Sequence, residues 1–123
     1  MTRASALVLA VFVAACAHVA PAVVSDRLFC GLSIPGGAAV SQAELDAFVA
    51  EVVEPRFPQG FTMWRARGEW KGGSEDVVVF EFLRPAGAEL DRAVVEIAGE
   101  YKRRFRQEAV LRAVTPVSMQ LVE

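Results

Sequence analysis

Few residues in this chain could carry out chemistry, and histidine is the scarcest of them. The chain has one histidine, His18, which precedes the region that reads as a folded domain. Ser-His-Asp and Cys-His catalytic units, like histidine metal sites, need a histidine inside the fold. The sequence therefore excludes them, and any chemistry must rest on carboxylates, arginines, Tyr101 and Cys30.

Arginines and tryptophans supply the first candidate ligand-binding residues. Arg56 lies between a predicted helix end and a prolyl turn, and Arg112 is out of phase with the apolar residues around it. An arginine on a strand often lies at an edge, but it can also point into a cavity and bind a carboxylate. Trp64 and Trp70 bracket two further arginines, an arrangement that can form a ligand platform, although core packing is the favoured interpretation of Trp64.

The second predicted helix contributes the other candidates. Tyr101, with Gln107 and Glu108 one to two turns later, is the polar group closest to the predicted core. A buried tyrosine hydroxyl usually only binds a structural partner. The cations between Lys102 and Arg106 are interpreted as a solvated helix face that complements the helix dipole.

Neither the cysteine of the domain nor its carboxylates indicate a reaction. Cys30 lies in an apolar, strand-like run without a basic neighbour, which favours a buried, inert thiol. Glu69, Glu75, Asp76 and Glu81 lie near the central hairpin, but no pair has a spacing that dictates general acid–base catalysis. Binding of a hard cation would need more converging oxygen ligands. The sequence thus predicts no metal site and no cofactor.

The length, net charge and composition of the chain exclude further classes of protein. The chain has 123 residues, enough for one domain, and its 13 Lys+Arg against 15 Asp+Glu give a net charge of −2. A nucleic-acid binder would need a basic excess, so nucleic acid is excluded as a partner. With 54% apolar and 23% charged residues, the composition is that of a folded protein rather than a disordered one.

The N-terminus has the pattern of a signal peptide. A cationic start, Met1–Arg3, precedes the uncharged apolar run Ala6–Ala15, which is too short to span a bilayer. Val13–Cys16 resembles a bacterial lipobox, in which Cys16 becomes the lipidated first residue. We therefore expect a signal peptide over residues 1–15, a tether over 16–25 and a single domain over 26–123.

Lipidation of Cys16 would anchor the protein to a membrane, and Ala17 after it resembles outer-membrane rather than inner-membrane sorting. The predicted location is then the periplasm, at the outer membrane. Ordinary signal-peptidase cleavage stays open as the alternative, because Ala15–Ala17 and Ala20–Ala22 also offer small residues at the two required positions. Either route exports the protein.

The remaining chain has the element order β-α-β-β-α-β. Ser41–Glu44 forms a capping box that starts the first helix, which Pro55 ends. The second helix carries an apolar stripe from Leu90 to Phe105. This order predicts a ferredoxin-like α+β sandwich, a four-stranded antiparallel sheet with both helices on one face. The predicted strands are Arg27–Ser33, Phe61–Ala66, Asp76–Leu83 and Val110–Val122, the last with Pro116 at a bulge or an edge.

In such a fold the helices leave one face of the sheet open, and the apolar residues on this open face indicate that a partner covers it. In strand Asp76–Leu83 that face carries Val77, Val79 and Leu83, and only Glu81 interrupts it. An exposed sheet face normally alternates with polar residues. We therefore expect a homodimer that forms through the open face.

Several blocks of sequence resemble a known protein family. The blocks are Leu28–Ser33, Pro55–Gly60, Trp64, Gly68, Trp70 and Tyr101–Arg112. They resemble the family DUF3574, small exported bacterial proteins without an assigned activity, over nearly the whole mature chain. Cys30 stands where the family tends to have a bulky apolar residue, which argues against a catalytic thiol.

Six candidate residues match the family pattern: Arg56, Trp64, Trp70, Gln107, Glu108 and Arg112. The resemblance implies that they either line a shared cleft or fasten the Pro55–Gly60 loop against the end of the second helix. The fastening interpretation is favoured, since an arginine beside a prolyl turn and a glutamate at a helix terminus would form a clamp.

Two functions follow from these observations. The first is an exported cell-envelope domain, anchored as a lipoprotein, that binds a small ligand or a protein partner. A non-enzymatic role is favoured because the sequence contains no catalytic constellation. The alternative is a cofactor-independent enzyme of the dimeric α+β barrel type, in which Arg56, Tyr101, Glu108 or Arg112 polarises a small substrate.

Overall fold

The computed structural model describes residues 22–123, and it has the predicted α+β fold. A π-helical turn, Val49–Val53, continues the first helix. The predicted signal peptide and Cys16 lie outside the described residues. The elements are β1 (Val23–Gly31), α1 (Gln42–Phe48), β2 (Thr62–Trp70), β3 (Gly73–Pro85), α2 (Ala88–Arg104) and β4 (Leu111–Val117).

A single antiparallel sheet with the strand order β2-β3-β1-β4 carries both helices on one face. This is the ferredoxin-like arrangement, so the predicted fold is confirmed. Pro116 lies in β4, which within residues 22–123 pairs only with β1 and is therefore an edge strand; proline lacks the backbone N–H that a central strand needs. No helix within residues 22–123 is long and apolar enough to cross a membrane.

The first strand begins earlier than the sequence indicates. The prediction was Arg27–Ser33, after a tether that ends at residue 25, but β1 covers Val23–Gly31. Val23 pairs with Pro85 of β3 on one side and with Val117 of β4 on the other. A central strand forms backbone hydrogen bonds along its length as far as its two neighbouring strands extend. The polar residues just before Arg27 therefore join the sheet although no apolar periodicity marks them.

The capping box at the start of α1 is present. Glu44 N donates to the Ser41 hydroxyl at 3.1 Å, and Ser41 N donates to the Glu44 carboxylate at 2.8 Å. These two bonds satisfy backbone donors that the first turn of a helix leaves free. The cap directs the apolar face of α1 toward the sheet, where Leu45 and Phe48 are buried.

The hydrophobic core lies between the sheet and the helices. Phe80 and Phe82 of β3 face Val94 and Ile97 of α2, and all four are buried. The Phe48 side chain also belongs to this core. Alternate residues of β3 thus point to the helices, which leaves the other set on the open face of the sheet.

Candidate functional site

The open face of the sheet carries a groove of about 530 Å³. It runs over β1, β3 and β4, and the chain just beyond β4 forms one end of it. Its apolar walls come from Phe29, Leu83, Val117 and Met119. The volume lies in the range of about 300–1,000 Å³ that is usual for small-molecule sites.

A polar pair lies in the groove. Arg27 of β1 is directly opposite Glu81 of β3 in the strand register, and its Nε donates to Glu81 Oε2 at 2.6 Å. Ser25, two residues earlier on the same strand face, donates to the same oxygen at 2.8 Å. These two hydrogen bonds, first that of Ser25 and then that of Arg27, hold the pKa of Glu81 below its usual value. Glu81 is therefore a carboxylate at neutral pH.

Both members of this pair keep unused hydrogen-bonding capacity. Within residues 22–123, Arg27 uses only Nε, so its two terminal nitrogens remain as donors. In the same part of the chain, Glu81 accepts its two side-chain hydrogen bonds at Oε2, so Oε1 remains as an acceptor. The groove thus offers donors and an acceptor side by side, between apolar walls.

Trp64 lies beside the groove and not in the core. Its side chain is 37% exposed on the open face, and the Arg27 guanidinium carbon lies 5.5 Å from the centre of its ring. The favoured interpretation of Trp64 as a core residue is therefore wrong. Val79 of β3, which is paired with Trp64 on one side and with Phe29 on the other, is the buried residue here.

The open face is more polar than β3 alone indicates. Ser25 and Arg27 of β1 and Thr115 of β4 lie on it with Glu81, because β1 pairs with both strands. Leu83 is 52% exposed there. The face is thus an apolar surface with a charged centre.

Arg112 binds carboxylates, but they belong to the protein. Its Nε and Nη2 donate to the two oxygens of Asp26 at 3.0 and 2.7 Å, and Nη2 also reaches Asp91 at 3.2 Å. Arg84 contacts the same two aspartates. Asp26 is fully buried, and the Arg84 side chain is 3% exposed. These four residues form a closed ion network that joins β1, β3, β4 and the first turn of α2.

Arg56 fastens its loop, although its partner is not the one expected. Nη1 donates to the Val52 carbonyl oxygen at 3.0 Å, and Nε donates to Glu96 of α2 at 3.2 Å. The loop is therefore joined to the middle of α2 and not to its end. Glu108, the glutamate near that end, binds Lys71 of the β2–β3 turn at 2.8 Å instead.

Replacing Arg56 with alanine should lower the free energy of unfolding by about 1 kcal/mol, since it removes one partly buried hydrogen bond and one partly exposed ion pair. Urea unfolding followed by circular dichroism measures the change. Arg92→Ala, at an exposed position on α2, is the matched control and should have a smaller effect. An Arg56 variant as stable as the parent would contradict the fastening role.

The other candidates lie at the end of the sheet where β1 ends. The Tyr101 hydroxyl is buried and donates to the Gly31 carbonyl at 2.6 Å, and burial raises its pKa well above the usual value. Gln107 Nε2 donates to the Ser33 carbonyl at 2.9 Å. Lys71, which binds Glu108, also lies 5.9 Å from the Trp70 ring centre. The seven candidates therefore do not line one cleft: Trp64 adjoins the groove, four cluster here, and Arg56 and Arg112 lie elsewhere.

Two further expectations can be compared with the structure. Cys30 is buried, and burial raises the pKa of its thiol far above the usual value, as an inert thiol requires. In the cation run, Arg103 pairs with Glu100, Arg104 pairs with Glu51, and Arg106 donates to a backbone carbonyl. Within residues 22–123, no group of His, Cys, Asp and Glu side chains is arranged to hold a metal ion.

Sequence reasoning did not identify Asp26, Arg84 or Asp91, nor the role of Arg27 in the groove. Asp26 and Arg84 are 58 residues apart in the chain, so no local spacing relates them. The signal in the sequence that could have identified Asp26 and Arg84 is a charged residue at a strand position that alternation assigns to the core. Asp26 alternates with Val24 and Leu28, and Arg84 continues the core-facing set that ends at Phe82.

Comparisons with known proteins agree with this fold. Residues 25–121 match the family described as "Protein of unknown function (DUF3574)". The chain is similar in structure to a phage SAM lyase in complex with S-methyl-5′-thioadenosine, at 18% identity and a TM-score of 0.60 over 80% of this chain and 84% of that one. The same lyase in its apo state is similar at 18% identity and a TM-score of 0.60, over 83% of this chain and 94% of that one. No protein of curated function matches the sequence.

Proposed function

The chain belongs to the DUF3574 family of proteins of unknown function, and we propose that it is a small-ligand-binding domain whose site is the open-face groove. One observation carries the proposal. Arg27 and Glu81 form an ion pair that has free donors and a free acceptor within residues 22–123, and the pair lies in a groove of small-molecule size with apolar walls. A ligand of fitting chemistry would complete the hydrogen bonding of both residues.

The pair defines the class of ligand. Arg27 and Glu81 together carry no net charge, so they favour a head group that is neutral or zwitterionic and that has both donors and acceptors. The body of the ligand is apolar, because it contacts Phe29, Leu83 and Met119. A purely apolar ligand would bind poorly, since it would remove water from the pair without replacing its hydrogen bonds.

A purine nucleoside with a thioether group meets both requirements. The phage SAM lyase of similar fold was solved with such a molecule, S-methyl-5′-thioadenosine, which supports its use as the first probe. That likeness also favours the alternative function, a cofactor-independent enzyme that converts a small substrate in the same groove. Turnover of the bound molecule distinguishes the alternative from simple binding.

The cellular setting belongs to the same proposal. Export, lipidation of Cys16 and attachment to the outer membrane would place the groove in the periplasm; the support is the Val13–Cys16 pattern of the sequence. A homodimer through the open face is supported by the exposure of Trp64, Leu83 and Leu111 there. A second copy on that face would cover the groove and shield its ion pair from water.

Isothermal titration of the chain from Ala17 with S-methyl-5′-thioadenosine tests the proposal. We expect saturable binding that weakens about tenfold in Arg27→Ala, because the lost charge-assisted hydrogen bonds are worth about 1.5 kcal/mol or more. Arg92→Ala, on an exposed part of α2, is the control and should bind as the parent does. Equal affinity of the parent and of Arg27→Ala for this ligand would contradict the assignment of the site to the groove.

A further inference from the structure

A second concavity, of about 320 Å³, lies at the end of the sheet where β1 ends. It is formed by the segment after β1, with Ser33 and Pro35, and by the ends of β2 and β3 beside their turn, with Trp70 and Glu75. Arg27 and Glu81 do not line it, so it is distinct from the open-face groove. The Trp70 side chain is 55% exposed at its rim.

Gly31 makes room for two acceptor groups: Glu75, which lines this concavity, and Gln107, which lies next to Glu75 but does not line the concavity itself. A Cβ atom at position 31 would lie 2.7 Å from Gln107 Oε1 and still closer to a carboxylate oxygen of Glu75. Both oxygens therefore converge on the space that the glycine leaves open. The orientation of Gln107 is fixed, because Nε2 donates to the carbonyls of Ser33 and Phe105 at 2.9 and 3.0 Å. Its Oε1 atom is thus the one that faces Gly31.

Glu75 has no partner within the part of the chain that the structure describes. It is half-buried, yet it forms no ion pair and accepts no side-chain hydrogen bond there. Tyr101 cannot supply a proton donor, since its hydroxyl already donates to the Gly31 carbonyl at 2.6 Å. Within residues 22–123 no buried side-chain oxygen lacks a partner, so the Glu75 carboxylate and the Gln107 Oε1 atom are open to solvent and can accept from a ligand that donates.

The cations around the concavity are bound elsewhere. Lys71 Nζ donates to both oxygens of Glu108, at 2.8 and 3.1 Å. Arg106 donates to the Pro35 carbonyl at 2.9 Å, and Arg67 donates to the Ser74 hydroxyl at 2.5 Å. The Glu75 charge is therefore not neutralised by direct contact with any of these three residues.

We infer that this concavity binds the ammonium group of a small aliphatic primary amine. An ammonium group has three N–H donors and no acceptor, which complements Glu75 and Gln107. Its positive charge compensates the Glu75 carboxylate, and its carbon chain and charge can both contact the exposed Trp70 ring. The inference is independent of the proposed groove function, because it uses other residues at another place on the sheet.

Titration of the chain from Ala17 with butylamine, followed by two-dimensional NMR, tests this inference. We expect saturable shifts at the Trp70 indole N–H and at the Gly31 amide. Glu75→Gln should weaken binding about tenfold, because it removes the charge from one partner of a charge-assisted hydrogen bond. The matched control is Glu89→Gln, at an exposed position in the first turn of α2, and it should leave binding unchanged.

Two further measurements, one with a neutral ligand and one with a variant of Gly31, complete the test. Butanol has the same carbon chain without the charge and should produce no saturable shift. Gly31→Ala, which should push the two acceptors apart, is expected to weaken butylamine binding while the NMR spectrum stays that of the folded protein. Equal affinity in the parent and in Glu75→Gln, or equal shifts with butanol, would overturn the inference. Arg27→Ala should leave butylamine binding unchanged even if it abolishes binding in the groove.

Discussion

Replacing Asp26 with asparagine is expected to lower the free energy of unfolding by about 3–5 kcal/mol. The Asp26 carboxylate is fully buried and accepts four hydrogen bonds, two from Arg84 and two from Arg112, at distances of 2.7 to 3.2 Å. Arg84 would stay buried after the change, with its positive charge no longer compensated by Asp26. Removing one partner of a buried ion pair is more damaging than never having the pair.

Urea unfolding of the Asp26→Asn variant measures this effect. Asp46→Asn is the matched control, because Asp46 is exposed on α1 and accepts one side-chain hydrogen bond, from Gln42. It should change the free energy of unfolding by less than about 0.5 kcal/mol. A change below about 1 kcal/mol in the Asp26 variant would show that the network is not the structural tie proposed for it. The network also matters for the groove, since Asp26 directly precedes Arg27 on β1.

Replacing Phe48 with alanine is expected to lower the free energy of unfolding by about 3–5 kcal/mol. Phe48 is fully buried, and its ring centre lies 5.2 Å from that of Tyr101, 5.9 Å from that of Phe105 and 6.3 Å from that of Phe80. The ring thus joins α1, α2 and β3 at one point. Its loss would remove apolar contacts and leave a cavity that the surrounding aromatic rings cannot fill completely.

Thermal and urea unfolding of Phe48→Ala measure this second effect. Val95→Ala is the control, because Val95 is 55% exposed on α2 and should change stability by less than about 0.5 kcal/mol. Equal stability of the two variants would contradict the packing described here. A large loss in Phe48→Ala alone would confirm that the core between the helices and the sheet holds the two layers together.

Local signals in the sequence predicted much of the fold. The Ser41–Glu44 capping box, the apolar stripe of α2 and the β-branched run of β3 each act over a few residues, and each is found where it was expected. The start of β1 was predicted four residues too late, because pairing on both sides extends a central strand beyond its apolar core. Boundaries set by neighbouring strands cannot be derived from one segment alone.

The candidate site depended on contacts between distant segments. Arg27 and Glu81 meet because β1 and β3 are neighbours, although 54 residues separate them in the chain. Arg112 was a candidate for binding a ligand, with an edge position as the other interpretation; in the structure it binds Asp26, which lies 86 residues away in the chain. Arg56 was expected to fasten a loop, and it contacts Glu96 rather than the end of α2. Residue types indicated the chemistry, while the strand order determined the partners.

Native mass spectrometry of the chain from Ala17, purified under gentle conditions, tests the central claim most directly, because it requires no prior choice of ligand. The claim is that the groove around Arg27 and Glu81 binds a small molecule. We predict a reproducible added mass on the parent protein, carried by a dimer, and its loss in Arg27→Ala but not in Arg92→Ala. A parent protein without added mass, or an added mass that persists in Arg27→Ala, would contradict the claim.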